Sequence, residues 1–277
     1  MVVLFALLAA ASYGVSDFVG GFASRAANAI TVLLYNYPAG ALVMIALLPL
    51  VPGPVSVSTL AWSVAGGAAG MIGVGLMYSA MTIAPMNVIS PVTGVLAAVV
   101  PVLAGVGLGE RPAILVWLGM LLALVAVVFV TRTPEDHPHG PLSRNAMLMA
   151  LGAGIGFGVY FVCLARSDTD SGLWPVVIAR VAASILLLPV ALRAGAVHRM
   201  PTRITLLAVA GGTIDAASNL AFLLASRHGY LSVAGVITAL YPAGTVLLAI
   251  VLLKERTGRI QWLGMGLAVV AVVLVTT

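Results

Sequence analysis

Apolar residues run along this chain in ten long stretches, at about 2–22, 30–51, 60–83, 86–107, 112–131, 146–165, 173–194, 203–225, 230–252 and 259–276, separated by short polar breaks. A helix rises about 1.5 Å per residue, so roughly 20 apolar residues cross the hydrocarbon of a bilayer. The runs are continuous rather than alternating, which argues against an outer-membrane barrel. The pattern predicts an all-α integral membrane fold of ten transmembrane helices. The first stretch reads as a helix and not as a signal peptide, because no basic residue precedes its apolar core and Asp17 lies near its end.

The one long polar connector, residues 131–145 (TRTPEDHPHGPLSRN), divides five stretches from five. The two halves also end alike. Residues 108–132 read LGERPAILVWLGMLLALVAVVFVTR and residues 253–277 read LKERTGRIQWLGMGLAVVAVVLVTT, identical at 15 of 25 positions at an offset of 145. Further matches are Gly66-Gly67 with Gly211-Gly212 and Thr93 with Thr238. Five is odd, so the second half must cross the membrane in the opposite sense, as two inverted five-helix repeats. The expected units are 1–133, a linker at 134–145, and 146–277.

Composition agrees with a membrane chain: 62% of residues are hydrophobic and 8% charged, where a soluble domain carries about 25% charged residues. The net charge of +5 does not point to nucleic acid, since the basic residues sit at helix ends without interleaved aromatics. Alternating the loops gathers Arg25, Arg132, Arg144, Arg193, Arg199, Arg203, Lys254, Arg256 and Arg259 on one face and Arg111, Arg166 and Arg227 on the other. The positive-inside rule then puts the first face in the cytoplasm and both termini outside. Localisation in the inner (cytoplasmic) membrane is expected. The single cysteine, Cys163, reads as a small apolar packer.

Glycine strings at Gly66, Gly67 and Gly70, at Gly152, Gly154, Gly156 and Gly158, and at Gly105, Gly107 and Gly109 read as close helix contacts. No strand precedes them to make a nucleotide-binding turn. The stretches ending each half carry almost no polar side chains, which suits a lipid-facing periphery. Polar residues concentrate in stretches one to three and six to nine, which are expected to line a cavity.

Only Asp17, Arg180 and Asp215 place a full charge well inside a stretch. Each costs about 2.5 to 3.5 kcal/mol near the bilayer centre, so each is a candidate for function. Arg180 and Asp215 lie at depths that agree within about one turn, so an ion pair between them is expected. Asp17, nearer its helix end, is expected to be partly solvated. Tyr13 shares a face with Asp17, and Ser218 and Asn219 share one with Asp215. Asn36, Tyr37, Asn87 and Tyr241 beside Pro242 complete the polar set. These residues suggest a midplane site for a small polar or zwitterionic solute; the alternative is a set of interhelical hydrogen bonds that fix the bundle. Were Arg180 drawn away, Asp215 would be a buried unpaired carboxylate able to take a proton, which suggests protons as a coupling ion. The pairs Glu110-Arg111 and Glu255-Arg256 read as structural anchors of helix ends. Glu135, Asp136, His137 and His139 in the linker read as a solvated loop, so no metal and no cofactor are expected.

Residues 240–275, LYPAGTVLLAIVLLKERTGRIQWLGMGLAVVAVVLV, resemble the EamA-like transporters of the drug/metabolite superfamily, and 91–130 resemble the same module again. The family signature falls here on Pro242, Glu255 and Gly264; the first half departs from it, with Ala97 matching Pro242 and proline at Pro101. The resemblance implies secondary transport of small metabolites, often amino acids or related compounds outward, by alternating access. A single chain is expected to suffice. A non-transporting receptor or assembly subunit is the rival reading. An intramembrane protease is disfavoured because Asp17 and Asp215 sit in VSD and TID and no histidine lies inside the bundle.

Overall fold

The computed structural model describes residues 1–84, 86–130, 143–244, 248 and 258–276, the side chains of 86–88, 91, 130 and 276 aside. They form ten helices: α1 (Val2–Ala26), α2 (Ala29–Leu47), α3 (Val57–Ile83), α4 (Met86–Gly107), α5 (Ile114–Val130), α6 (Arg144–Arg166), α7 (Trp174–Arg193), α8 (Thr202–Arg227), α9 (Leu231–Thr238) and α10 (Arg259–Thr276). No strand occurs among the described residues. Backbone groups in lipid have no water to bond, so a helix that satisfies its own N–H and C=O groups is the stable choice.

Local sequence sets the helix ends. Asn28 accepts the Ile30 N–H at 2.9 Å to start α2, and Ser56 Oγ accepts the Thr59 N–H at 2.9 Å to start α3. Gly195, at φ +62°, closes α7, with the Ala196 N–H donating to Ala191 O at 2.9 Å. That reach back over the last turn satisfies a carbonyl that the helix itself leaves open.

Six helices, α1 to α3 and α6 to α8, are long and apolar enough to cross a membrane; the apolar parts described in the other four are 10 to 17 residues. The ninth stretch departs most from expectation. α9 stops at Thr238, and the chain turns at Ala239 and Leu240 before helical geometry resumes at Tyr241. Pro242 explains the break: it has no N–H to give the Thr238 carbonyl, and its ring collides with that group in an unbroken helix. In α4 the backbone stays helical through Pro91 and Pro101, with no break like the one that ends α9.

α3 lies along α6, α1 along α8, and α5 along α10; α2 meets α7 and α8, while α4 meets α6 and α9. Glycine makes two of these contacts close, α3 with α6 and α2 with α8. A Cβ on Gly73 would lie 3.0 Å from the Phe157 ring, and one on Gly156 would lie 2.9 Å from the Gly73 Cα. One on Gly212 would strike the Asn36 backbone. Small residues let helices approach where no hydrophobic force drives them together. The third glycine string behaves otherwise: Gly107 and Gly109 meet nothing, Gly109 turns the chain at φ +93°, and Gly105 leaves room for the Glu110 carboxylate. It is a helix end, not a helix contact.

α5 and α10 pair with each other at the margin, Gly119 fitting against Ala271 and Leu274. Leu118, Leu121 and Val125 on α5 and Leu263, Val269 and Val273 on α10 are exposed, an apolar surface that a bilayer satisfies. At one end of the bundle the Leu173 N–H donates to Val51 O at 3.3 Å, and Arg227 donates to Gly172 O at 3.1 Å and to Asp168 O at 3.0 Å. Glu110 accepts the N–H groups of Leu231 at 2.5 Å and Ser232 at 3.1 Å. Glu110 therefore does more than anchor its own helix; it caps α9, in the other half of the chain.

Candidate functional site

Seven helical segments open onto one cavity. Its walls carry Tyr13 and Asp17 from α1, Tyr37 from α2, Arg180 from α7, Asp215 and Asn219 from α8, and Tyr241 at the break after α9. Gly67, Gly70 and Val74 of α3 and Phe157, Tyr160 and Phe161 of α6 complete the sides. Nothing from α5 or α10 reaches it.

Charge is arranged asymmetrically. Arg180 is 2% exposed and donates through Nη2 to the Asp215 carboxylate, which is 14% exposed. The guanidinium also lies over the Tyr37 ring, 5.4 Å from its centroid, where the face of the π-system attracts a cation. Gly40 is what admits it, since a Cβ there would sit 2.9 Å from Nη1. Asp17, against expectation, is buried at 6% exposure: α1 continues nine residues beyond it, to Ala26, so it lies inside the bundle. Among the described residues no cation pairs with Asp17 and no donor bonds it.

Neutral polar groups cross-link the walls. The Tyr13 hydroxyl donates to Asn219 Oδ1, joining α1 to α8, and the Thr93 and Tyr241 hydroxyls lie 2.8 Å apart, joining α4 to the α9 break. Tyr37 presents a buried hydroxyl with no hydrogen bond among the described residues. Aromatic rings form a continuous wall: Phe161 stacks on Phe222 at 4.2 Å between centroids, Tyr13 lies 5.8 Å from Phe161, and Tyr241 stands edge-on to Tyr13 at 6.4 Å. Such pairs hold ring orientation as well as area.

Of the residues singled out from sequence, Tyr13, Asp17, Tyr37, Arg180, Asp215, Asn219 and Tyr241 come together in this cavity. Ser218 does not; its hydroxyl donates back to Ile214 O at 2.9 Å within α8. Asn36 is buried where α2 crosses α8, beside Gly211 and Gly212, and does not line the cavity. The Asn87 side chain, Glu255 and Arg256 lie outside the described residues, as does the acidic and histidine-bearing linker. Arg111 is exposed beside Glu110. The apolar pattern does not single out Tyr160, Phe157 and Phe161, although Gly66, Gly70 and Gly73 are the space their helix occupies: a Cβ on Gly70 would lie 3.1 Å from the Tyr160 ring.

The sequence model of the EamA-like transporter family matches residues 1–132 and 144–277. Solved structures match as well. One of them, a crystal structure of a protein, has a TM-score of 0.76 and 20% sequence identity, over 99% of this chain and 96% of that one. At this identity the likeness speaks for the fold alone. No curated protein matches the chain.

Proposed function

The chain belongs to the EamA-like transporter family, a multi-pass membrane transporter of the drug/metabolite type, and from that premise we propose that it moves a small metabolite by alternating access around the cavity between α1, α2, α3, α6, α7 and α8. The solute is an amino acid or related polar or amphipathic compound, carried outward across the cytoplasmic membrane. Members of the family are transporters rather than enzymes, and the charges of the cavity are read here as binding and coupling groups.

One observation carries this reading: the deeply placed ion pair, Arg180 with Asp215, opens onto the same cavity as Asp17, which no described residue pairs. Charges inside a membrane bundle are costly and mark solute or ion pathways. The helix break before Pro242 puts Tyr241 on the same cavity, and interrupted helices are the usual material of transporter sites.

Two inverted halves, 1–133 and 146–277, provide the alternation, with both termini outside. Support comes from the two separate stretches that match one family model and from the pairing of helices. Exchanging α1 with α6 and α3 with α8 turns the α1–α8 contact into the α6–α3 contact, and exchanging α2 with α7 does the same for α2–α8 and α7–α3. Because the cavity is built within one chain, a monomer is the working unit.

Protons are the coupling ion in this reading, taken up at Asp215 when Arg180 disengages. The test is counterflow and efflux in proteoliposomes with a panel of amino acids, organic cations and sugars, with and without an imposed proton gradient. Movement of one class identifies the substrate. A panel in which nothing moves sinks the transport reading in favour of a receptor or assembly subunit, and an Asp215→Asn variant whose transport keeps its pH dependence removes Asp215 from the coupling.

A further inference from the structure

Three charged side chains line the cavity: Asp17, Arg180 and Asp215. Arg180 and Asp215 neutralise each other. The Nη1 of Arg180 is sealed away from solvent, has no hydrogen-bond partner among the described residues, and lies at the space left by Gly40. Asp17 is the acidic side chain left without a counter-charge, a carboxyl group 6% exposed that no described donor or cation satisfies.

What surrounds that carboxyl group is largely aromatic. Tyr13, Tyr37, Tyr160, Phe161 and Tyr241 share the cavity with it, and Phe161 is held in place by stacking on the buried Phe222. An unpaired carboxylate enclosed by ring faces matches one kind of partner: a compact cation, drawn by the charge and by the negative faces of the rings. A zwitterion fits less well, because its carboxylate would enter a site whose cation is already paired with Asp215.

Resting on the transporter reading above, we propose that the substrate is a monovalent organic cation with an apolar or aromatic body and no free carboxylate, its ammonium group opposite Asp17. Within the range of amino acids and related amphipathic solutes, this selects the amines. Asp17 acts as the counter-ion and the aromatic wall sets the shape, while the Arg180–Asp215 pair stays closed during binding.

The test compares three solutes of one shape and different charge on the purified full-length protein: benzyltrimethylammonium, phenylalanine and 3-phenylpropionate. Thermal stabilisation in detergent reads binding, and counterflow in proteoliposomes reads transport. The quaternary ammonium is expected to bind at least about tenfold more tightly than the other two, which corresponds to about 1.4 kcal/mol. Asp17→Asn should remove that preference, and Asp17→Glu should retain part of it. The charge series on the unaltered protein decides the matter even where Asp17→Asn fails to fold. Equal or tighter binding of phenylalanine or 3-phenylpropionate, or no stabilisation by the cation, overturns the proposal. Binding of the cation without counterflow upholds the assignment of Asp17 and overturns the transport reading. Counterflow of phenylalanine without binding of the cation does the reverse.

Discussion

Arg180 on α7 and Asp215 on α8 form an ion pair whose guanidinium is 2% exposed and whose carboxylate is 14% exposed. With so little of either side chain exposed, each charge depends largely on the other. Removing one partner of a buried pair leaves a bare charge and costs about 3 to 5 kcal/mol, whereas replacing both with neutral groups is often close to neutral. Arg180→Met should therefore lower the thermal stability of the purified protein by roughly 3 kcal/mol, and Arg180→Met with Asp215→Leu should restore most of it. Transport should be lost in both. A double variant less stable than Arg180→Met would show that the pair is not what couples α7 to α8.

Glu110 in the turn after α4 accepts two backbone N–H groups at the start of α9. Glu110→Ala should destabilise the protein by about 1 kcal/mol through loss of the cap, and Glu110→Gln, which keeps one acceptor oxygen, by less. Thermal melts of the two variants rank them. Equal loss in both would mean that charge, not hydrogen bonding, holds the helix start.

Gly67 on α3 faces the Ala179 backbone so closely that a Cβ would collide with its carbonyl. Gly67→Ala must push α3 from α7, with an expected loss of about 1 to 3 kcal/mol. Gly266 on α10 meets nothing, so Gly266→Ala should be harmless or slightly stabilising, since alanine is the better helix former. Melting temperatures measured side by side would show a clear drop in the first alone.

The Tyr13 hydroxyl bonds Asn219 across the cavity. Tyr13→Phe leaves a buried amide oxygen without its donor and should cost about 1 to 3 kcal/mol. In a double-mutant cycle with Asn219→Leu, the coupling should be on the order of 1 kcal/mol. Additive losses would mean that the two residues do not share a bond in the membrane.

Some of this was legible along the chain and some was not. The Arg180–Asp215 pair followed from depth, because a helix advances a fixed distance per residue and two opposite charges at one depth have few other partners. The extra depth of Asp17 was missed, since α1 runs on to Ala26 through serine and glycine residues that hydropathy reads as an approach to water. Tyr160 and Phe161 were passed over because an aromatic ring in an apolar helix looks the same facing lipid, core or cavity. Ser218 looked like a site residue by its spacing and instead bonds its own helix, a choice a small hydroxyl makes locally.

By itself the sequence determined that the chain is helical and lives in a membrane, because a bilayer admits only helices and closed barrels, and continuous apolar runs of about 20 residues fit the helix and not the alternating barrel strand. It also marked which helices carry polar chemistry and which, α5 and α10, do not. Only the tertiary structure decided what surrounds these charges: Arg180 reaches Asp215 through the gap at Gly40, and Asp17 lies buried against a wall of rings with no described partner. Pairing between helices depends on rotation and on close approach at single glycines, and neither is recorded in a one-dimensional pattern of apolar and polar residues.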